Sequence, residues 1–157
     1  LQNALGQTQA VFDKLSANLG KAILSIGAVK GFEIGDGFAA AQSVGSENND
    51  DFYNHNGKIE KKTNHAGGIL GGMSDGSVIT FRAAFKPTPS IAQPQQTVNR
   101  EGEDTEIVIH GRHDAIIVPR AVVVVETMAA VTVLDLLLQN MGSSLEGVKN
   151  FYRSDKK

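Results

Sequence analysis

The sequence contains no cysteine, which excludes disulfides, thiolate nucleophiles and thiolate metal sites and fits a reducing compartment. It has no excess of either charge: fifteen Lys and Arg against seventeen Asp and Glu leave a net charge of -2. Nothing therefore draws the whole surface onto nucleic acid, and any anion site has to be local. Long apolar runs are missing too. The longest, Ala121–Val125, is far shorter than a bilayer span, and the amino terminus lacks the basic-then-apolar plan of a secretory signal. No internal repeat and no low-complexity segment occurs. No Met precedes Leu1, which fits a piece of a longer protein.

What is present is ordinary in amount and uneven in placement. The 157 residues suit one domain with a real core. Hydrophobic residues at 41% and charged residues at 20% are those of a soluble globular protein. The seventeen glycines concentrate in residues 27–37 and 67–76, where the backbone can turn tightly or lie close to something.

Val11, Phe12, Leu15, Leu19, Ala22, Ile23 and Ile26 recur at helical spacing and predict an amphipathic helix over 9–25, stopped by Gly27. Residues 28–34 read as a strand ended by a tight Gly35-Asp36-Gly37 turn. Residues 43–63 read as a polar excursion over the surface. Strands are expected at 78–85 and 105–109, and an irregular stretch at 86–96, which holds three of the four prolines. Pro119 suits the first turn of a long apolar helix running from about Arg120 to Met141, and residues 143–157 read as a polar tail. The fold class is α+β, with helices packed on one face of an antiparallel sheet.

Three strand ends carry candidate chemistry. Gly67-Gly68 and Gly71-Gly72, within Asn64–Gly76, leave the backbone nearly bare, able to converge on an anion or lie against a ring. Lys86-Pro87-Thr88-Pro89-Ser90 offers a compact cation and two hydroxyls on a proline-stiffened chain. Gly111-Arg112-His113-Asp114 places a planar cationic fork beside a carboxylate. Each alone is as readily a glycine turn, a stiff loop or a surface ion pair; together they point to one pocket for a phosphorylated ligand. Gly35-Asp36-Gly37-Phe38-Ala39-Ala40 fits the dinucleotide pattern, but the crossover helix and second parallel strand are missing. His65 and His113 lack metal-ligand spacing, so no metal site is expected. A non-catalytic phosphate- or nucleotide-binding module and a small-molecule kinase remain alternatives; the kinase would need Mg²⁺ ligands near the glycine loop.

The segments 31–38 (GFEIGDGF), 64–74 (NHAGGILGGMS), 86–90 (KPTPS), 111–114 (GRHD) and 119–122 (PRAV), in this order, resemble the carboxy-terminal part of chorismate synthase over about residues 8–142. That family implies a layered β-α-β sandwich, a homotetramer, a cytoplasmic location and a reaction. The reaction is the 1,4-anti elimination of phosphate and a ring hydrogen from 5-enolpyruvylshikimate 3-phosphate, with reduced FMN and no net redox change. An external flavin reductase is compatible with it; nucleic acid and membrane are not expected as partners. The resemblance puts flavin contacts on Gly27, Ala28, Gly71, Lys86, Pro87, Thr88, Pro89, Ser90 and Arg112, and proton transfer on Asp114. Arg120 matches a family arginine without an assigned role. Ala115-Ile116 and Val123 depart from the family's usual Pro-Cys and proline. The family's two catalytic histidines lie in its amino-terminal half, and neither His65 nor His113 matches them. The implied assignment is therefore residues 1–142 as a carboxy-terminal portion bearing half of a site, inactive in isolation.

Overall fold

The structure, a computed structural model, describes residues 12–111 and 116–153. Its centre is the meeting of two helices. Helix α1 (Leu15–Leu24) buries Leu15, Leu19 and Ile23 completely; these positions are four apart, so they fall on one stripe of the helix. Helix α2 (Val118–Gly142) brings Leu136 against that stripe, and Ile69 closes the cluster, flanked by Phe32, Ile34, Ile79, Ala129, Val133 and Leu137. Gly20 lets the helix approach the sheet: a methyl group there would lie 3.4 Å from the Phe32 ring. Burying these side chains stabilises the unit by roughly 1.5–3 kcal/mol each.

Strand β1 (Val29–Ile34) follows α1 and is shorter by one residue than expected. It pairs antiparallel with β6 (Phe81–Phe85), from Val29 opposite Phe85 to Ile34 opposite Phe81. The rings of Phe32 and Phe81, 5.5 Å apart, fill the face under α1. The expected turn at the end of β1 is present: Gly35 and Gly37 both take positive φ, at 56° and 53°, and a short 3₁₀ turn follows over Gly37–Gln42.

Residues 43–63 are more ordered than a polar excursion. They form a hairpin of β2 (Phe52–His55) and β3 (Lys58–Lys61) around Asn56-Gly57, whose φ values of 52° and 84° belong to a tight two-residue turn. Asn-Gly is the strongest short signal for that turn, so the hairpin was readable from sequence. The glycine segment holds a second, minimal hairpin, β4 (Ile69–Leu70) with β5 (Met73–Ser74). A third joins β7 (Gln95–Val98) to β8 (Asp104–Ile107); β7 begins inside the stretch expected to be irregular.

The class is α+β, as expected. The strands form four separate antiparallel pairs among the described residues rather than one continuous sheet. α2 starts two residues before the expected position, with Pro119 in its first turn. It is long and apolar enough to cross a membrane by length and composition, yet carries Glu126 and Asp135 and packs on α1. Much of its other face is exposed, including Val123, Val131, Leu134 and Leu138. The segment read as a polar tail contains helix α3 (Leu145–Arg153).

Candidate functional site

The two glycine pairs do different things. Gly67 and Gly68 are buried and their amides are occupied: Gly67 N–H donates to the Asn64 carbonyl (3.0 Å), and Gly68 N–H to Asn64 Oδ1 (2.8 Å). A methyl on Gly68 would strike the Val78 carbonyl at 2.6 Å. This pair is a packing joint, and the expectation that its bare backbone receives an anion fails because other backbone already fills the space. Gly71 and Gly72 form the tip between β4 and β5, with φ of 58° and 86°. Nothing lies within 4 Å of where a Gly71 methyl would be, so this exposed turn leaves room for a flat ligand. Gly72 is tied to α1: Leu15 N–H donates to its carbonyl at 2.8 Å, and Lys14 covers its Cα.

At the other end of α1, Gly27 and Ala28 connect the helix to β1. Ala28 has φ of 69°, a left-handed conformation that costs a non-glycine residue roughly 1–2 kcal/mol. Such strain persists only where the surroundings impose it. The Ala28 carbonyl accepts the Lys86 N–H at 2.7 Å, so the β1–β6 pairing joins Gly27-Ala28 to the start of Lys86–Ser90. Lys86 and Pro87 are exposed, and the Pro89 carbonyl accepts from Gln95 Nε2 at 2.7 Å. The structure thus brings together Gly27, Ala28 and Lys86. Gly71 stands beyond the opposite end of α1, a ten-residue helix and so about 15 Å long. Among the described residues the two groups line opposite ends of one helix rather than one cavity. Arg112 and Asp114, with His113, lie outside the described residues. Arg120 is in the first turn of α2.

Sequence reading missed a buried charge cluster beside the glycine segment. The side chains of Asp50 and Lys61 are each 5% exposed and that of Asp75 is 10% exposed. Asp50 Oδ1 accepts the Thr63 hydroxyl (2.8 Å) and the His65 N–H (2.7 Å), and Oδ2 accepts the Ala66 N–H (3.0 Å). Lys61 Nζ donates to Asp75 and lies 3.8 Å from Asp50 Oδ2. Burial works to raise the Asp50 pKa. The Ala66 N–H, the Thr63 hydroxyl, the His65 N–H and Lys61 together hold it below the ordinary aspartate value. Asp75 is likewise pushed up by burial but held low by Lys61 and by Ser77. Nearby, His65 Nδ1 lies 2.6 Å from Asp36 Oδ2, which also accepts from Asn48. A cleft of about 560 Å³ runs beside the hairpin, lined by Phe52, Lys61, Thr63, Asn64, Asp75 and Val78. It contains none of the sequence-assigned flavin residues, and the charges lining it are already paired.

Comparison with known proteins accounts for most of the chain. A family model described as chorismate synthase matches residues 1–138. The chorismate synthase of Agathobacter rectalis is 62% identical over 149 residues, 95% of this chain and 41% of its own length. That of Lachnoclostridium phytofermentans is 64% identical over 149 residues, 94% of this chain and 41% of its own. A solved structure titled "Crystal Structure of Chorismate Synthase" superposes with a TM-score of 0.68 at 30% identity, over 95% of this chain and 38% of that one. The chain thus spans about two fifths of the length of the relatives it matches.

Proposed function

The chain belongs to the chorismate synthase family, and we propose that its residues 1–142 supply one part of the site that converts 5-enolpyruvylshikimate 3-phosphate to chorismate and phosphate with reduced FMN. The observation that carries this reading is the 2.7 Å bond from Lys86 N–H to the Ala28 carbonyl. It unites two segments that the family resemblance assigns separately to the flavin.

The residues at each end of α1 suit a different part of the cofactor. Gly71 offers an open turn for a flat ring, while Lys86, with Thr88 and Ser90 beyond it, offers charge and hydroxyls for a phosphate. Gly27 and Ala28 present backbone at the same strand end, and Pro87 and Pro89 stiffen the segment so that little freedom is lost on binding. Arg112 adds a planar cation and Asp114 the proton-transfer group. Held by these residues, reduced FMN would supply reversible electron donation, chemistry that calls for a reductant without net consumption of one. In the elimination a ring C–H bond and the C–O bond to phosphate break and a ring double bond forms. The ring hydrogen leaves as a proton and the C–O electron pair leaves with phosphate; Asp114 would take up the proton at the flavin, and Lys86 and Arg112 would stabilise the departing negative charge.

The remaining part of the site, including the family's catalytic histidines, lies outside the matched portion, so the isolated chain is expected to be inactive. The complete protein is expected to be a cytoplasmic homotetramer, with an external flavin reductase as a compatible partner. Substituting Asp114→Ala in a full-length protein carrying this sequence tests the reading. Turnover is expected to fall while FMN still binds; lost FMN binding with unchanged turnover per bound flavin would contradict the assigned role.

A further inference from the structure

We infer that Asp50, Lys61 and Asp75 are positioning residues that lock the β2–β3 hairpin to both ends of the glycine segment and so fix where the Gly71–Gly72 turn stands. The lock follows from which atoms each group holds. Asp50 takes the backbone amides of His65 and Ala66 and the Thr63 hydroxyl, gripping the segment where it begins. Asp75 accepts the Ser77 N–H at 2.9 Å, and its own N–H donates to the Gly68 carbonyl at 3.1 Å, gripping the segment where it ends. Lys61, on β3, stands between the two carboxylates and ties both grips to the hairpin.

Exposed ion pairs do little of this kind, but these three side chains are almost withdrawn from water. Removing the central cation leaves two buried carboxylates facing one another, a far larger penalty than losing a surface pair. The turn itself cannot supply the order. β4 and β5 are two residues each, and nothing lies within 4 Å of where a Gly71 methyl would be. Its placement relative to the rest of the chain depends on Ile69 in the core, on the packed Gly67-Gly68 joint, on the Leu15–Gly72 bond and on this lock, which alone ties both ends of the segment to the hairpin. The inference deepens the flavin reading of the Gly71 turn and rests on it for the consequence in binding, though not for the lock itself.

The test compares the chain with its Lys61→Met, Asp75→Asn and Glu60→Gln variants by amide hydrogen exchange and by anaerobic titration with reduced FMN. Glu60 serves as the control because it is an exposed hairpin residue whose partners, Tyr53 and His55, lie within the hairpin. Lys61→Met is expected to speed exchange across residues 66–74 at least tenfold, leave exchange in α2 unchanged and raise the FMN dissociation constant at least tenfold. Glu60→Gln should alter none of these. If Lys61→Met does not fold, Asp75→Asn keeps the side-chain shape and one acceptor and gives the same comparison. Unchanged exchange in 66–74 would overturn the inference. So would acceleration of 66–74 and α2 together, which marks general destabilisation; a loosened segment with unaltered FMN affinity would uphold the lock and overturn its consequence for binding. Failure of the flavin reading shows separately, as no FMN uptake by the unsubstituted chain, and the exchange comparison then decides the lock.

Discussion

Gly35 and Gly67 meet backbone to backbone. A methyl group on Gly67 would lie 2.4 Å from the Gly35 nitrogen, and one on Gly35 would lie 2.0 Å from the His65 carbonyl oxygen. The contact is held by hydrogen bonds on either side, Gly35 N–H to the Thr80 carbonyl and Thr80 N–H to the Gly67 carbonyl. The end of β1, the start of the glycine segment and the residue before β6 are thereby fused at one point. Gly67→Ala meets immovable backbone and a φ of +63°, so it is expected to lower stability by roughly 3 kcal/mol or more. Gly71→Ala meets only the φ penalty, roughly 1 kcal/mol. Urea unfolding of the two variants checks this; equal losses would mean that Gly67 is not packed as described.

Stability should fall on acidification. The carboxyls of Asp50 and Asp75 have folded-state values below those of the unfolded chain. Their contribution is complete above the ordinary aspartate value and is lost as pH falls through the lower folded value, because the unfolded chain binds protons first. The melting temperature is therefore expected to drop between about pH 5 and pH 2. Asp50→Asn should be less stable at pH 7 and show a shallower acid slope. An unchanged slope in that variant would remove Asp50 from the explanation.

Lys86→Ala should separate binding from folding. The side chain is exposed, and its backbone N–H bond to Ala28 survives the substitution. Stability is expected to change by no more than about 0.5 kcal/mol. Loss of a charged contact to the cofactor phosphate costs roughly 1.5–3 kcal/mol, so FMN affinity should fall at least about tenfold. Thermal melts and flavin titration on the same variant check both halves. Unaltered affinity would take Lys86 out of the site.

The chain is expected to self-associate. α2 leaves Val123, Val131, Leu134 and Leu138 exposed on one long helix, and contiguous apolar surface of that kind seeks cover. Light scattering should show mass rising with concentration, and Leu134→Lys with Leu138→Lys should reduce the effect. A uniform monomer at high concentration would contradict it.

The sequence made the helices legible because their apolar residues recur at helical spacing: Leu15, Leu19 and Ile23 define α1, and Val124, Val131, Leu134 and Leu138 mark α2, although that stripe is exposed and α2 packs on α1 through Leu136 with Val133 and Leu137 beside it. The β1 and β6 strands and the Gly35–Gly37 turn were legible through composition and glycine placement. The hairpin at 52–61 escaped because charges dominate it, although Asn56-Gly57 announced its turn. Lys61 could not be read as buried, since its partners Asp50 and Asp75 are eleven and fourteen residues away along the chain and meet it only through the hairpin. Nor could the different fates of the two glycine pairs be read, because which pair packs and which stays open depends on the approach of Gly35 and Val78.

The central claim is that this chain carries part of a reduced-flavin site, and titrating it with FMN under anaerobic reduction, with oxidised FMN and ATP–Mg²⁺ as comparisons, tests it most directly. Saturable uptake of reduced FMN, weakened by Gly71→Ala and by Lys86→Ala and not matched by ATP–Mg²⁺, is the expected result. No uptake of either form of FMN, or uptake indifferent to both substitutions, would contradict it.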